Sequence, residues 1–101
     1  MADAPFEVAL RWENVCLDLF ARTDKFPRSA RYTFATRIDE AALDIAIRLV
    51  DARYCGGPRR VAALDESNLL LTRLRVLIRL AHRRRLLGHA AYEHVSEGID
   101  D

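Results

Sequence analysis

The sequence predicts an all-α protein, an antiparallel up-down-up-down four-helix bundle, and three observations predict it. Pro5, Pro27 and Pro58 each stand just before a long helix-favouring run, where a proline in the first turn removes an N–H that would have no helical partner anyway. Within those runs the apolar residues recur at spacings of three and four, the period of one helical face. Gly56-Gly57 and Gly88 punctuate the pattern and leave only short connections, which make consecutive helices antiparallel neighbours.

These signs predict helices over 5–23, 27–54, 58–86 and 89–99. In the second, Phe34, Ile38, Ala41, Ala42, Ile45, Leu49 and Ala52 form one stripe and read as the core face. Asp44 stands four residues before Arg48, the favourable order for an ion pair on the charged face that also carries Thr33, Arg37, Glu40 and Asp51. A second apolar set, Tyr32, Leu43, Ile47, Val50 and Tyr54, lies away from the first. The third helix repeats this: Leu70, Leu74, Leu77, Ile78 and Ala81 share one face, while Leu69, Val76 and Leu80 project about 120–140° or more away at ~100° per residue. Either face of that helix suits a core. A small monomeric bundle does not cover both, and large exposed apolar patches mark association surfaces, so Leu43, Ile47, Val50, Leu69, Val76 and Leu80 are expected at an oligomer interface.

At 101 residues, one domain spanning 1–101 is expected. Half of the residues are hydrophobic and 31% are charged, which suits a folded helical protein and not a disordered one. No apolar run approaches the ~20 residues of a membrane-spanning helix, and Met1-Ala2-Asp3-Ala4-Pro5 lacks a basic-then-apolar signal pattern, so a cytoplasmic location with no membrane role is expected. Cys16 and Cys55 have no second Cys or His at metal-ligand spacing and read as reduced, structural thiols.

No catalytic, metal or cofactor site is expected. His82, His89 and His94 form no H-E-x-x-H and no Glu-x-x-His pair, and the four glycines form no phosphate-cradling loop. The chemistry lies instead in the arginines. Net charge is only +1, yet Lys25 is the single lysine among 16 basic residues, so fifteen are arginines, the side chain that forks onto phosphates and carboxylates. Arg73, Arg75, Arg79, Arg83, Arg84 and Arg85 occupy an acid-free stretch. Arg75, Arg79 and Arg83, spaced by four, set three guanidinium groups in a row about 6 Å apart, suited to a phosphodiester backbone, to a partner's carboxylates or to solvent. Arg83-Arg84-Arg85 also oppose the negative end of a helix dipole. Arg28 and Arg31 fall in the predicted first turn of the second helix, where positive charge is locally unfavourable and so hints at use elsewhere. Adding Arg59 and Arg60 at the next helix start to Arg28 and Arg31 gives a second candidate basic zone, although in an antiparallel bundle the starts of the second and third helices lie at opposite ends.

Trp12, Phe26-Pro27-Arg28-Ser29-Ala30-Arg31, Arg37-Ile38, Ala52-Arg53-Tyr54, Leu74-Arg75-Val76-Leu77-Ile78-Arg79-Leu80-Ala81 and Tyr92 together give a pattern that covers almost the whole chain. It resembles the Avd family, the accessory variability determinants of diversity-generating retroelements, and the wider four-helix group that includes proteins encoded in intervening sequences of large-subunit ribosomal RNA genes. The resemblance implies a homopentameric barrel of four-helix protomers that binds the element's reverse transcriptase and nucleic acid, RNA or DNA, during mutagenic copying of a template RNA, without chemistry of its own. Arg75, Arg79 and Arg83 match the basic positions of that family's third helix. The glycine- and tryptophan-containing tail that follows the family's fourth helix has no counterpart after Asp100-Asp101. The alternative is a stand-alone helical protein-interaction module without nucleic-acid binding.

Overall fold

The computed structural model of the protein describes the backbone of residues 4–100 and the side chains of residues 7–99. Met1, Ala2, Asp3 and Asp101, and the side chains of Ala4, Pro5, Phe6 and Asp100, lie outside the described residues. Four α-helices make up the fold: α1 (Ala4–Thr23), α2 (Thr36–Tyr54), α3 (Gly57–Arg83) and α4 (His89–Asp100). Among the described residues there is no strand, and no helix is long and apolar enough to cross a membrane.

A core of buried side chains draws on all four helices: Trp12, Cys16 and Leu19 from α1, Ile38, Ala42, Ile45 and Leu49 from α2, Leu70, Leu74, Ile78 and Ala81 from α3, and Val95 and Ile99 from α4. The first stripe of α2 is therefore its core face, and of the two faces of α3 the one holding Leu74 and Ile78 is inside. Across α1 and α2, the Ala42 carbonyl accepts from the Trp12 indole Nε1 at 2.8 Å and from the Cys16 thiol at 3.5 Å. Thr23 donates its hydroxyl to Asp39 at 2.8 Å. Asp18 lies 3.8 Å from His94, and a Cβ built at Gly98 would meet Val15 at 3.2 Å, so glycine lets α1 and α4 approach closely there.

The second predicted helix, 27–54, is three pieces. Pro27 stays extended at ψ 156° and precedes a 3-10 turn, Arg28–Ala30, then a π-helical turn, Arg31–Ala35, before α2 begins at Thr36. The buried positions supply the reason. Ala30 and Ala35 are both inside, five residues apart, and the i→i+5 hydrogen bonding of a π turn carries such a pair to one side where an α-helix would splay it. The third helix also ends earlier than the predicted 86. Leu86 donates its N–H to the Ala81 carbonyl and Arg85 donates to His82, each at 2.9 Å, while Arg85 adopts φ 62°. This is a Schellman ending, and it has an arginine at the left-handed position that glycine usually fills. On α2, Arg48 reaches Asp51 at 3.4 Å, so the expected Asp44–Arg48 pairing gives way to an i,i+3 pair.

Candidate functional site

Helix α3 carries both of the features singled out in the sequence, on different faces. With Leu74 set at 0° and ~100° per residue, the core positions cluster near 0°, Leu69, Val76 and Leu80 near 220°, and Arg75, Arg79 and Arg83 run from about 100° to about 180°. Leu69, Val76 and Leu80 are 47%, 41% and 42% exposed, and on α2 Leu43, Ile47 and Val50 are 49%, 54% and 51% exposed, with Tyr32 and Tyr54 more open still. The second apolar stripes of both helices thus lie on the surface of this chain. Leu10 and Leu17 of α1 and Val61 and Leu64 near the start of α3 are exposed apolar side chains that sequence reasoning overlooked. The seven-residue step from Leu10 to Leu17, nearly two turns, was a legible sign of a stripe. Val61 and Leu64 became visible only with lengths: α3 spans ~40 Å and α4 only ~18 Å at 1.5 Å per residue, so α4 flanks α3 along half its course.

Among the clefts along α3, two are lined by arginines of that helix. One, against α2, is lined by Arg48, Asp51, Cys55, Arg59 and Glu66, two cations facing two carboxylates. The other, against α4, is about 250 Å³ and lined by Arg75, Ile78, Arg79, Tyr92, Ser96 and Ile99, with no carboxylate among its described lining residues. Beside it, the rings of Tyr92 and His82 stack at 4.3 Å between centroids and 14° between planes, and His89 stands 5.9 Å from His82 at a tilt. The His89 imidazole is 2.9 Å from Glu93, its partner one turn along α4.

Of the sequence-predicted basic residues, Arg75 and Arg79 come together in the α3–α4 cleft, and Arg83, Arg84 and Arg85 follow at the end of α3, exposed. Arg28 and Arg31 sit in the connection before α2, more than a turn ahead of Thr36. Both lie in the 3-10 and π turns that lead without a break into α2. Arg31 lines a polar cleft with Asp24 and Asp39. Burial, foremost, raises the pKa of Asp39; the Thr23 hydrogen bond opposes that shift and Asp24 adds to it. Arg59 and Arg60 are placed differently from each other. Arg60 donates Nε to the Ala52 carbonyl at 2.8 Å and Nη2 to the Arg53 carbonyl at 3.4 Å, satisfying orphan carbonyls at the end of α2, and Arg59 lines the charge-balanced cleft.

Cys16 and Cys55 are free thiols. Burial, then Glu13 and Asp39, push the Cys16 thiol up to about 11, so it is protonated and inert at neutral pH. Among the described residues no group of three His, Cys, Asp or Glu side chains is placed to hold a metal ion.

The arginine row offers donors to an anion, and the apolar stripes offer area to another helix. Compared with known protein families, characterised proteins and solved structures, the chain matches none.

Proposed function

We propose that this protein is a non-catalytic, homo-oligomeric accessory protein that binds RNA and a reverse transcriptase, acting in the cytoplasm as part of a diversity-generating retroelement. Each protomer, in this reading, is an antiparallel up-down-up-down bundle forming one domain, and the assembly is the pentamer that the sequence resemblance implies. The course of the chain is supported by pairs that run in opposite senses: Cys16 meets Ala42 while Thr23 meets Asp39, and Val15 meets Gly98 while Asp18 meets His94. In that course the α1–α2 and α3–α4 connections share one end of the bundle, which groups Arg28 and Arg31 with Arg83, Arg84 and Arg85.

One observation carries the reading: α3 presents an apolar stripe and an arginine row side by side on exposed faces, so self-association through Leu69, Val76 and Leu80 leaves Arg75, Arg79 and Arg83 facing outward. Repeated around a ring, three modest charges per chain become one extended basic surface, and multivalency raises its grip on a polyanion. The test is co-purification of the protein with the reverse transcriptase and RNA of a retroelement, combined with the mass of the free protein by light scattering. A monodisperse mass near 11.5 kDa at micromolar concentration contradicts the assembly. An oligomer indifferent to RNA at every salt concentration contradicts the nucleic-acid role and leaves a protein-interaction module.

A further inference from the structure

We infer that the α3–α4 cleft is a base-stacking site that makes the protein a single-strand binder; this rests on the RNA reading above and narrows it to one class of RNA. Tyr92 and Ser96 of α4 and Arg75 and Arg79 of α3 line this cleft, and Ile78 and Ile99 close its floor. The combination is what an unpaired base requires. An aromatic face receives the base, an apolar floor excludes water beneath it, a hydroxyl meets a base edge, and guanidinium groups hold the flanking phosphates or stack on the ring themselves. The volume of about 250 Å³ is below the roughly 300 Å³ at which sites for drug-sized ligands begin, which suits one ring system entering from a strand whose backbone stays outside.

The aromatic side of the cleft is built in place. His82 lies against Tyr92 at 4.3 Å and nearly parallel, so the tyrosine ring is held as one layer of a stack that a base extends. Glu93, the carboxylate nearest these rings along α4, is engaged by His89 at 2.9 Å. Arg83, Arg84 and Arg85 continue the positive charge from the mouth of the cleft along the path a strand would take. A duplex brings its phosphates to the same arginines but keeps its bases stacked inside, and gains nothing from Tyr92.

The experiment compares two probes by fluorescence anisotropy at one moderate salt concentration: a labelled mixed-sequence RNA strand of roughly 15 nucleotides, and the same strand annealed to its complement. The strand is expected to bind on the order of 10-fold more tightly than the duplex. Tyr92→Leu removes that preference and Tyr92→Phe keeps it. Because Tyr92 packs against the core, folding of each variant is checked by circular dichroism, and the wild-type protein provides a second route. A strand carrying 4-thiouridine, irradiated on the unmodified protein, crosslinks to the peptide holding Tyr92 if a base enters the cleft. Equal binding of strand and duplex with crosslinks elsewhere overturns the stacking site and leaves the RNA reading standing; failure of both probes to bind overturns the RNA reading itself.

Discussion

Two clefts to which α3 contributes arginines differ in how their charge is answered. Against α2, Arg48 and Arg59 face Asp51 and Glu66; against α4, Arg75 and Arg79 face a tyrosine, a serine and two isoleucines. An arginine beside carboxylates is already engaged within the fold, as Arg48 is with Asp51 and as Arg60 is with the last carbonyls of α2. Arg79, exposed in a cleft with no carboxylate among its described lining residues, has donors to offer a partner. An arginine-rich composition therefore does not by itself mark a binding surface; the side chains lining the cleft around each arginine do.

The largest expected effect comes from reversing charge along the open wall. Arg79→Glu with Arg83→Glu should weaken RNA or reverse-transcriptase binding by on the order of 10-fold or more at moderate salt, with helicity and oligomer mass unchanged. Arg59→Glu, made in the balanced cleft, should leave RNA affinity where it was; an equal loss from both changes erases the distinction between the clefts. Lysine at 79 and 83 sharpens it further. A small loss points to phosphate charge, and a loss near that of glutamate points to guanidinium forks on a planar or carboxylate group.

Val76→Glu tests the adjoining face. It puts a charge into the expected interface and should lower the mass by light scattering to the monomer's 11.5 kDa while the circular dichroism spectrum holds. Ile78→Glu, two residues on, lies in the core at 1% exposure and should unfold the chain. If the two variants behave alike, the exposed stripe of α3 belongs to the protomer's own core.

Arg85 separates stability from binding. Its φ of 62° costs an L side chain about 1 kcal/mol that glycine avoids, so Arg85→Gly should raise the midpoint of thermal unfolding slightly and weaken RNA binding a few-fold. Stability and affinity falling together would show that the side chain serves the helix end instead.

The smallest effect is at alkaline pH. The folded protein holds the Cys16 proton up to about 11 against an ordinary 9.0, so the unfolded chain releases it first. The stability tied to this thiol is full below pH 9 and is lost as pH rises toward 11. Thermal melts across that range should fall less steeply for Cys16→Ala than for the wild type, although the variant starts from a lower midpoint because it leaves a cavity.

Much of the architecture was legible because it rests on periodicity. The stripe from Ile38 to Ala52 announced the buried face of α2, and the exposed stripes on α2 and α3 were readable as surplus apolar faces. Where the ladder departs from i→i+4, the sequence carried no mark. Nothing in Arg31 to Ala35 distinguishes a π turn from an α turn until Ala30 and Ala35 are known to be buried together. The end of α3 was misread because Gly88 looked like the stop, whereas the chain takes its left-handed residue at Arg85. Pairing was equally hidden. Arg60, Arg75 and Arg79 look alike on paper, and only the fold assigns one to capping α2 and two to the cleft between α3 and α4.

The salt dependence of RNA binding, measured for the wild type and for Arg79→Glu with Arg83→Glu, tests the central claim most directly. If the row neutralises phosphates, the logarithm of the binding constant falls linearly with the logarithm of salt concentration, and the double variant loses roughly 0.7 of slope per lost contact, about 1.4 for each protomer engaged on a single strand. Identical slopes in the two proteins would contradict the account.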